Sequence, residues 1–479
     1  MLANSQYTTK GEQRAFYGFV AVLLLLVLIA LIKEMYIIAA APVGLVVLYA
    51  IIRDYRALYY GFWVALPFSV EYNFGSLGMD IPTEPIMLGL TFIGILLLLS
   101  KLGKISFEYI YHPISVLLLL HLFWILFTSI YSQIPIVSYK FFLAKLWFVT
   151  PFFFLTFHFL KSHKDISKLV SLLTIFMSIA VMVVITRHAI DGFTFIGSHK
   201  VVRPIFRNHV NYAAMIVVLL PYVWALYKST KKSFSKTLLS FVILLFIVGA
   251  YFSYTRAAQI CIFVAIGAYF VIKFRLAKIA LLSASIMTIL LVGYLLNNNK
   301  YLDFAPQFEK TIAHTKFNNL IEATYKMEDI STMERVYRWV AAVQMIQRKP
   351  IIGFGPGGFY NNYTKYTVRS FETYVSDNPE KSGVHSYYLM TMVEQGIIGL
   401  LIFIAFCFSI ILYGERLYHK LTAPKDKNYV MAAILSIIVI CMMNLINDLI
   451  EVDKVGPLFL LSASIIVMYD IRIKRKLNS

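Results

Sequence analysis

The chain has 479 residues, of which 59% are hydrophobic and 14% are charged, and its mean hydropathy is +0.72. Soluble domains carry about 25% charged residues, so this composition excludes a soluble globular protein and indicates an integral membrane protein. The formal net charge is +19, but the basic residues lie in short clusters between apolar segments. That distribution encodes membrane topology and argues against a nucleic-acid partner.

Apolar segments long enough to cross a bilayer recur along the whole chain. A spanning helix needs about 20 mostly apolar residues, whereas the strands of a membrane barrel would alternate apolar and polar side chains. The sequence predicts about fourteen spans. They lie at residues 16–32, 35–52, 57–70, 85–100, 113–130, 142–160, 168–187, 209–227, 237–254, 258–273, 277–296, 386–413, 429–447 and 455–471. The segments at 35–52 and 57–70 fit the criterion least well.

The charges of the loops predict which side of the membrane each loop faces. Alternate loops are basic: 53–56, 101–104, 161–168, 228–236, 273–278 and 416–427, and the C-terminal tail is basic too. Because Lys and Arg are retained in cytoplasmic loops, these loops and both termini are expected in the cytoplasm. The intervening loops face outward; residues 71–84, for example, contain three acids and no Lys or Arg.

One outward loop, residues 297–384, is much longer than an ordinary connection. Long ordered loops commonly carry function. Residues 331–334 (Ser-Thr-Met-Glu) have the form of a capping box, and the apolar spacing up to Arg348 predicts a helix. Pro350 should end that helix, and the glycine-rich residues 353–358 should form a turn. Residues 308–327 are expected to form a second, interfacial helix.

Three arginines lie on the outward side, where topology disfavours positive charge. Arg203 and Arg207 precede the span at 209–227, and Arg256 stands in a very short connection between two spans. The planar guanidinium suits bidentate binding of phosphate. For Arg203 and Arg207, the alternative is that they reach lipid headgroups at a helix end. An arginine as close to the hydrocarbon as Arg256 is costly unless it meets an anion or a wet cavity.

Two further groups of residues could take part in chemistry. His385 stands where the long loop re-enters the membrane, and a histidine can remove a proton from a hydroxyl near neutral pH. The alternative is a structural histidine at the interface. Arg335 and Arg338 are three residues apart on the predicted loop helix and so share a face, where they could contact phosphate, sugar or anionic lipid.

Other patterns are not expected to form sites. The glycine-rich stretch follows a predicted helix and therefore lacks the strand-turn-helix context of a dinucleotide loop. Asp448, Glu451 and Asp453 have no His or Cys nearby, so we expect no metal and no cofactor. Glu394, within a span, is expected to be a hydrogen-bonded packing residue. The cysteines Cys261, Cys407 and Cys441 lie in apolar runs without metal-ligand spacing.

Taken together, these motifs occur in a recognisable order. An R-x-x-x-x-N segment is followed by a Thr-Arg pair after the next span, then by the long loop with its R-x-x-x-W helix and Pro-Ile-x-Gly-x-Gly turn, and by a closing H-S-x-Y-L segment. Over about residues 200–410 this resembles the O-antigen ligase and O-antigen polymerase superfamily of bacterial envelope glycosyltransferases. Ser386 stands where that family usually has Asn, and Ala257 where it usually has Gly.

The resemblance implies a fold and a set of roles. The expected fold is all-α: a GT-C-like polytopic bundle of about 12–14 transmembrane helices with one large helical periplasmic loop. Residues 1–296 and 385–479 would form the membrane part, and residues 297–384 the loop. The resemblance makes His385 and Arg256 catalytic. The pyrophosphate would be held by Arg203, Arg207, Arg256, Arg335 and Arg338, with Arg203 favoured over Arg207 as the family's first essential arginine.

The implied reaction is an O-antigen ligase reaction at the periplasmic face of the bacterial inner membrane. Glycan would pass from an undecaprenyl-diphosphate carrier to a sugar hydroxyl of lipid A-core, with inversion and without a metal. A polymerase or a protein O-oligosaccharyltransferase of the same superfamily is the alternative. A flippase of lipid-linked oligosaccharide fits less well, since transport predicts polar residues near the midplane and paired broken helices.

Overall fold

The computed structural model of the protein describes residues 55–74, 77–99, 107–305, 330–368 and 383–477. The chain divides into two compact units, residues 1–61 and 62–479. Of the first unit, only residues 55–61 are described, and they include the start of the first helix.

Helices make up almost the whole of the described chain. The α-helices are α1 (Arg56–Ala65), α2 (Thr83–Leu99), α3 (Phe107–Ile110), α4 (Pro113–Ile130), α5 (Pro135–Val149), α6 (Thr156–Phe159), α7 (His163–Ile190), α8 (Phe195–Val201), α9 (His209–Ser229), α10 (Ser233–Phe252), α11 (Arg256–Lys273), α12 (Ala277–Leu296), α13 (Ile330–Arg348), α14 (Phe359–Asn362), α15 (Tyr387–Lys420), α16 (Pro424–Met443) and α17 (Gly456–Leu477). Short 3-10 helices lie at Leu66–Phe68, Asn297–Phe304, Tyr363–Tyr366 and Leu449–Glu451, and a π-helical stretch, Thr150–Leu155, joins α5 to α6. Strands β1 (Val70–Phe74) and β2 (Leu77–Ile81) form one antiparallel hairpin with Val70 opposite Ile81.

Ten helical segments of the described chain are long and apolar enough to cross a membrane, which confirms the all-α polytopic fold. They are Pro113–Ile130, Pro135–Phe159, His163–Ile190, His209–Ser229, Ser233–Phe252, Arg256–Lys273, Ala277–Phe304, Tyr387–Lys420, Pro424–Met443 and Gly456–Arg475. A shorter apolar helix, Thr83–Leu98, corresponds to the span predicted at 85–100. The spans predicted at 16–32 and 35–52 lie outside the described residues.

The span predicted at residues 57–70 is wrong. Helix α1 ends at Ala65, a 3-10 turn containing Pro67 follows, and the chain then turns into the β1–β2 hairpin. At about 1.5 Å per residue, the ten residues of α1 are too short to cross the hydrocarbon core. The apolar composition of this segment instead buries Phe62, Trp63 and Leu66.

The centre of the bundle is formed by α9, α16 and α17, whose side chains are the most fully buried among the candidate spans. Small and β-branched residues let α9 and α16 approach closely, as expected where helices pack in lipid. The Tyr222 hydroxyl meets the Ser462 hydroxyl at 2.7 Å and so joins α9 to α17. At the rim, α12 has no buried side chain beyond Ala277.

Helix α15 is interrupted near its N-terminal end. Gly396 has φ 69° and ψ −174°, and the glycine turn of residues 353–358 inserts into the break. The N–H of Phe354 donates to the Val393 carbonyl, and the N–H of Ile397 donates to the Pro350 carbonyl. The predicted turn is therefore correct, and Glu394 is a hydrogen-bonded packing residue as expected, since its Oε1 accepts the Phe359 N–H at 3.2 Å.

The loop helix predicted from residue 331 to Arg348 corresponds to α13, which ends two residues before Pro350. Val336 and Val340 are buried along the predicted apolar stripe. Because Ile330 is already helical, Ser331 lies inside the helix and not at its N-cap, so the capping-box interpretation is wrong. The helix predicted at residues 308–327 lies outside the described residues.

Candidate functional site

His385 is held by a carboxylate from a distant loop. Its backbone N–H donates to Oδ2 of Asp448 at 3.0 Å, and the N–H of Ser386 donates to the same carboxyl group. His385 has φ 56°, in the left-handed region that few non-glycine residues adopt. Asp448 therefore holds the backbone conformation that sets the direction of the imidazole, as strained conformations persist only where the surroundings fix them.

The start of α15, directly after His385, is anchored to the end of α16. The N–H of Tyr387 donates to the carbonyls of Asn444 at 2.9 Å and Asn447 at 3.1 Å. The side-chain oxygen of Asn444 in turn accepts the N–H of Leu449 at 3.0 Å. These bonds satisfy backbone groups at helix ends, which would otherwise be left without partners. They fix the segment that contains His385 to the loop that contains Asp448.

Arg335 and Arg338 approach His385 from the loop helix α13. The Arg338 side chain is only 5% exposed, and its charge acts on both His385 and Asp448. Burial, then the charge of Arg338, then that of Arg335 lower the pKa of His385 to about 3. The imidazole is therefore neutral at physiological pH, with a ring nitrogen able to accept a proton.

Asp448 titrates in the opposite direction. Burial, together with the nearby charge of Glu451, raises its pKa to about 7. The hydrogen bonds from His385 and Ser386 and the charge of Arg338 act the other way. Near neutral pH the carboxyl group is thus balanced between its ionised and protonated forms.

Arg203 and Arg207 lie on an exposed turn between α8 and α9. Arg187 donates from Nη1 to the Arg203 carbonyl at 2.7 Å and so fastens the start of the turn. Phe206, between the two arginines, is fully buried and anchors the middle of the turn. Both arginine side chains remain exposed; Arg207 forms a 3.7 Å ion pair with Glu71 of strand β1.

A histidine pair connects this turn to Arg256. The rings of His199 and His209 have centroids 4.0 Å apart, and burial and the charge of Arg203 lower the pKa of His199. Thr255 donates from its hydroxyl to the His209 carbonyl at 3.4 Å. Arg256 follows Thr255 as the first residue of α11 and is partly buried.

The loop helix α13 lies near two groups of residues, those around the arginine turn and those around His385. The charge of Arg335 acts on His209 and also on His385, so α13 lies near both the arginine turn and the histidine. The structure therefore brings Arg335, Arg338 and His385 together. Arg203 acts on His199 of the histidine pair, and Arg256 is linked to His209 through the hydroxyl of its neighbour Thr255. The side chain of Arg207 instead forms its ion pair with Glu71.

Sequence reasoning missed the residues that position the site. Asp448 was considered only as a metal ligand and was rejected as one, and His199 and His209 were given no role. A signal for Asp448 existed, because carboxylates in a short turn between two spans lie close to the hydrocarbon and are costly unless they are used. No signal in the chain pairs Asp448 with His385 across 63 residues.

Two comparisons with known proteins bear on this region. Residues 239–404 match the family model Wzy_C, described as O-antigen ligase. The match runs from α10 into α15 and includes Arg256, Arg335, Arg338 and His385, and it confirms the resemblance to the O-antigen ligase and polymerase superfamily. No curated protein matches the chain.

Proposed function

Because residues 239–404 match the O-antigen ligase family, a group of glycosyltransferase-like membrane enzymes, we propose that this protein is an O-antigen ligase. It transfers a glycan from undecaprenyl diphosphate to a sugar hydroxyl of lipid A-core. The observation that carries the proposal is the placement of a neutral imidazole, that of His385, beside the cationic face of α13 formed by Arg335 and Arg338. A base next to several guanidinium groups suits attack on a sugar whose leaving group is a diphosphate.

His385 acts as the general base. Its lowered pKa, about 3, keeps the imidazole neutral, and the backbone bond to Asp448 fixes its direction. The acceptor hydroxyl donates to a ring nitrogen and loses its proton to that nitrogen as its oxygen attacks the anomeric carbon. Such positioned proton transfer contributes typically 10²- to 10⁴-fold to the rate.

The arginines bind the donor and stabilise the leaving group. As the new C–O bond forms, the bond from the anomeric carbon to the diphosphate oxygen breaks, and that oxygen keeps the electron pair. Arg256, Arg335 and Arg338 offset the charge that grows there, with Arg203 and Arg207 at the outer edge. Attack from the face opposite the leaving group inverts the configuration of the anomeric carbon.

The loop charges support a periplasmic orientation for this site. The site residues lie at the starts of α9, α11 and α15 and at the end of α16. The basic clusters of residues 228–236, 273–278 and 416–427 lie at the opposite ends of the same helices. Because Lys and Arg are retained on the cytoplasmic side, the site faces the periplasm and the C-terminal end of α17 faces the cytoplasm.

The test uses purified protein with undecaprenyl-diphosphate-linked glycan and lipid A-core in detergent. Arg256→Ala and His385→Ala should each lower product formation at least 100-fold, in the range seen when one stabilising donor or base is removed. Arg416→Ala and His419→Ala, at the cytoplasmic end of α15, are the matched controls and should retain transfer. Full activity in both site variants at normal expression would refute the assignment.

A deletion strain separates the ligase from the other reactions of the superfamily. A ligase deletion should accumulate polymerised glycan that is still attached to its lipid carrier. Accumulation of single repeat units would identify a polymerase instead, and loss of glycan from protein would identify a protein O-oligosaccharyltransferase. Product formation in detergent, where no second compartment exists, excludes a flippase as the explanation.

A further inference from the structure

Lys454 is a buried cation that the proposed reaction does not use. It lies in the loop between α16 and α17 and is only 4% exposed. Its Nζ donates to three backbone carbonyls, those of Leu66 at 3.1 Å, Pro67 at 3.4 Å and Ser69 at 2.9 Å. An ammonium group has three protons to donate, so these carbonyls use all of them. The acceptors lie in and just after the 3-10 turn that follows α1, where a helix end presents negative partial charge.

On another side, the Lys454 ammonium lies over an aromatic ring of the arginine turn. Its Nζ is 4.8 Å from the centroid of the Phe206 ring, within the range of a cation–π interaction. Phe206 is fully buried and stands between Arg203 and Arg207 in the sequence. The position of this ring therefore determines where the backbone that bears both arginines can lie.

The loop that contains Lys454 also contains the carboxylate that holds His385. Asp448 is six residues before Lys454, with the 3-10 helix Leu449–Glu451 between them. Val455 and Gly456, directly after Lys454, donate their N–H groups to the Val452 carbonyl and tighten the turn into α17. One short, hydrogen-bonded segment thus contacts the arginine turn at one end and the base at the other.

Two acidic side chains act on the Lys454 ammonium. Asp453 accepts a hydrogen bond from the Thr83 hydroxyl at 2.9 Å. Asp80 of strand β2 adds a second negative charge once it ionises, because burial and the charges of Asp453, Glu84 and Glu71 raise its pKa to about 7. Burial lowers the pKa of Lys454 to about 8, while Asp453 and Asp80 act to raise it. The ammonium therefore loses its proton at a lower pH than an ordinary lysine, and with the proton it loses one donor and the attraction to the ring.

We infer that Lys454 is a positioning residue that sets Arg203 and Arg207 relative to His385, through Phe206 on one side and the Asp448 loop on the other. The inference rests on the proposed function for the identity of the ligand, undecaprenyl diphosphate. Lys454 touches no reacting atom. It acts by fixing the distance between the diphosphate-binding edge of the site and the base.

The test measures binding of undecaprenyl diphosphate, without sugar, to the full-length protein in detergent. Phe206→Leu leaves the three carbonyl bonds of Lys454 intact and removes only the ring, so the protein should fold while the Kd rises about three- to tenfold. Phe153→Leu, which removes an equally buried ring from the π-helical stretch, is the control and should leave the Kd within about twofold.

A pH series supplies a readout that a purely structural role would not move. Wild-type affinity should fall as the pH rises through about 8, because Lys454 loses its proton there. Lys454→Arg keeps its charge at every pH tested, so its affinity should lack the decline near pH 8. Lys454→Met should show the weakened affinity at all pH values. Because Lys454→Met leaves three buried carbonyls without a donor and could fail to fold, the test depends on the other two variants.

The outcomes separate this inference from the proposed function. If the wild-type protein and its Arg256→Ala variant bind undecaprenyl diphosphate equally, or neither binds it, the proposed function fails. If binding is strong and depends on Arg256, equal Kd values for Phe206→Leu and Phe153→Leu, together with a level wild-type pH series, would overturn the role of Lys454 alone.

Discussion

The backbone N–H of His385 donates to the carboxylate of Asp448 at 3.0 Å, although 63 residues separate the two in the chain. The bond joins the segment that leads into α15 to the loop that follows α16. It holds His385 at a φ of 56°, a conformation the residue would seldom adopt alone. The direction of the proposed base is therefore set by a carboxylate that takes no part in proton transfer.

Replacing that carboxylate should lower activity and change its pH dependence. Asp448→Asn keeps one acceptor oxygen but loses the charge, and we expect kcat/KM to fall roughly 10- to 100-fold, as when a charged hydrogen bond is weakened. The wild-type carboxyl has its pKa raised to about 7, so wild-type kcat/KM should decline as the pH falls through that value. The variant should lack this decline.

The same pH series tests the state of His385. Because its pKa is lowered to about 3, the imidazole stays neutral across the measured range and contributes no inflection near 6.5. An acid decline with a midpoint near 6.5 that persists in Asp448→Asn would contradict this, since it would mean that His385 titrates as an ordinary histidine.

The raised pKa of Asp448 also predicts how stability changes with pH. A carboxyl group with a folded-state pKa of about 7 and an ordinary unfolded value of 3.8 binds its proton more tightly in the folded protein. Its contribution to stability is therefore present at low pH and is lost as the pH rises from about 4 to about 7. The Tm of the wild type, measured against that of Asp448→Asn, should fall between pH 4.5 and pH 7.5. A constant difference would show that Asp448 is not buried as described.

Arg338 should control the titration of its neighbours. Its charge lowers the pKa of both His385 and Asp448, so Arg338→Leu should move the acid decline of kcat/KM to higher pH. Arg338→Lys keeps the charge and should leave that midpoint near its wild-type value. Both variants should lose activity, roughly 10-fold or more, because lysine cannot reproduce the planar fork of the guanidinium. Equal midpoints in the leucine and lysine variants would exclude this electrostatic role.

Arg203 should matter more than Arg207 for binding the donor. Arg207 already pairs with Glu71 at 3.7 Å, whereas no ion pair involves Arg203 among the residues described. Arg203→Ala should raise the donor KM about 10-fold or more, and Arg207→Ala should have a smaller effect, because a diphosphate must displace Glu71 from Arg207. Glu71→Gln is the control: an exposed pair contributes at most about 1 kcal/mol, so its Tm should hardly change. A larger KM effect from Arg207 would reverse the assignment.

How much the sequence can predict depends on the range of the interaction. The spans from 113–130 onward are readable because every backbone group in lipid must bond within its own helix, which imposes long apolar runs. Part of the site could be predicted from the sequence alone. Charged or titratable side chains are unusual beside a membrane span, and this predicts roles for Arg256, Arg335, Arg338 and His385. The residues that position these side chains could not be predicted, because the contacts of Asp448 and Lys454 join segments that lie far apart in the chain.

Local backbone geometry is the second feature that the sequence did not predict. The segment at 57–70 is apolar enough to suggest a span, but Pro67 and the hairpin that follows end the helix after ten residues. The sequence does not predict the break at Gly396, because glycine is common in membrane helices. Only the pairing of this residue with the turn at residues 353–358 forces it to a positive φ. Both features depend on what packs against the segment.

The break in α15 gives the last prediction. Gly396 has φ 69°, and a Cβ at that position would collide with the Ile351 carbonyl group of the glycine turn. Gly396→Ala should therefore destabilise the protein by about 1–3 kcal/mol or more and detach the turn that fixes α13 beside His385. Gly267→Ala, in the exposed interior of α11, is the matched control: nothing lies within 4 Å of its Cβ, so the better helix former should stabilise by up to about 1 kcal/mol. Thermal unfolding of both variants in detergent measures the difference. Equal Tm values would mean that α15 can run straight through residue 396 without the turn.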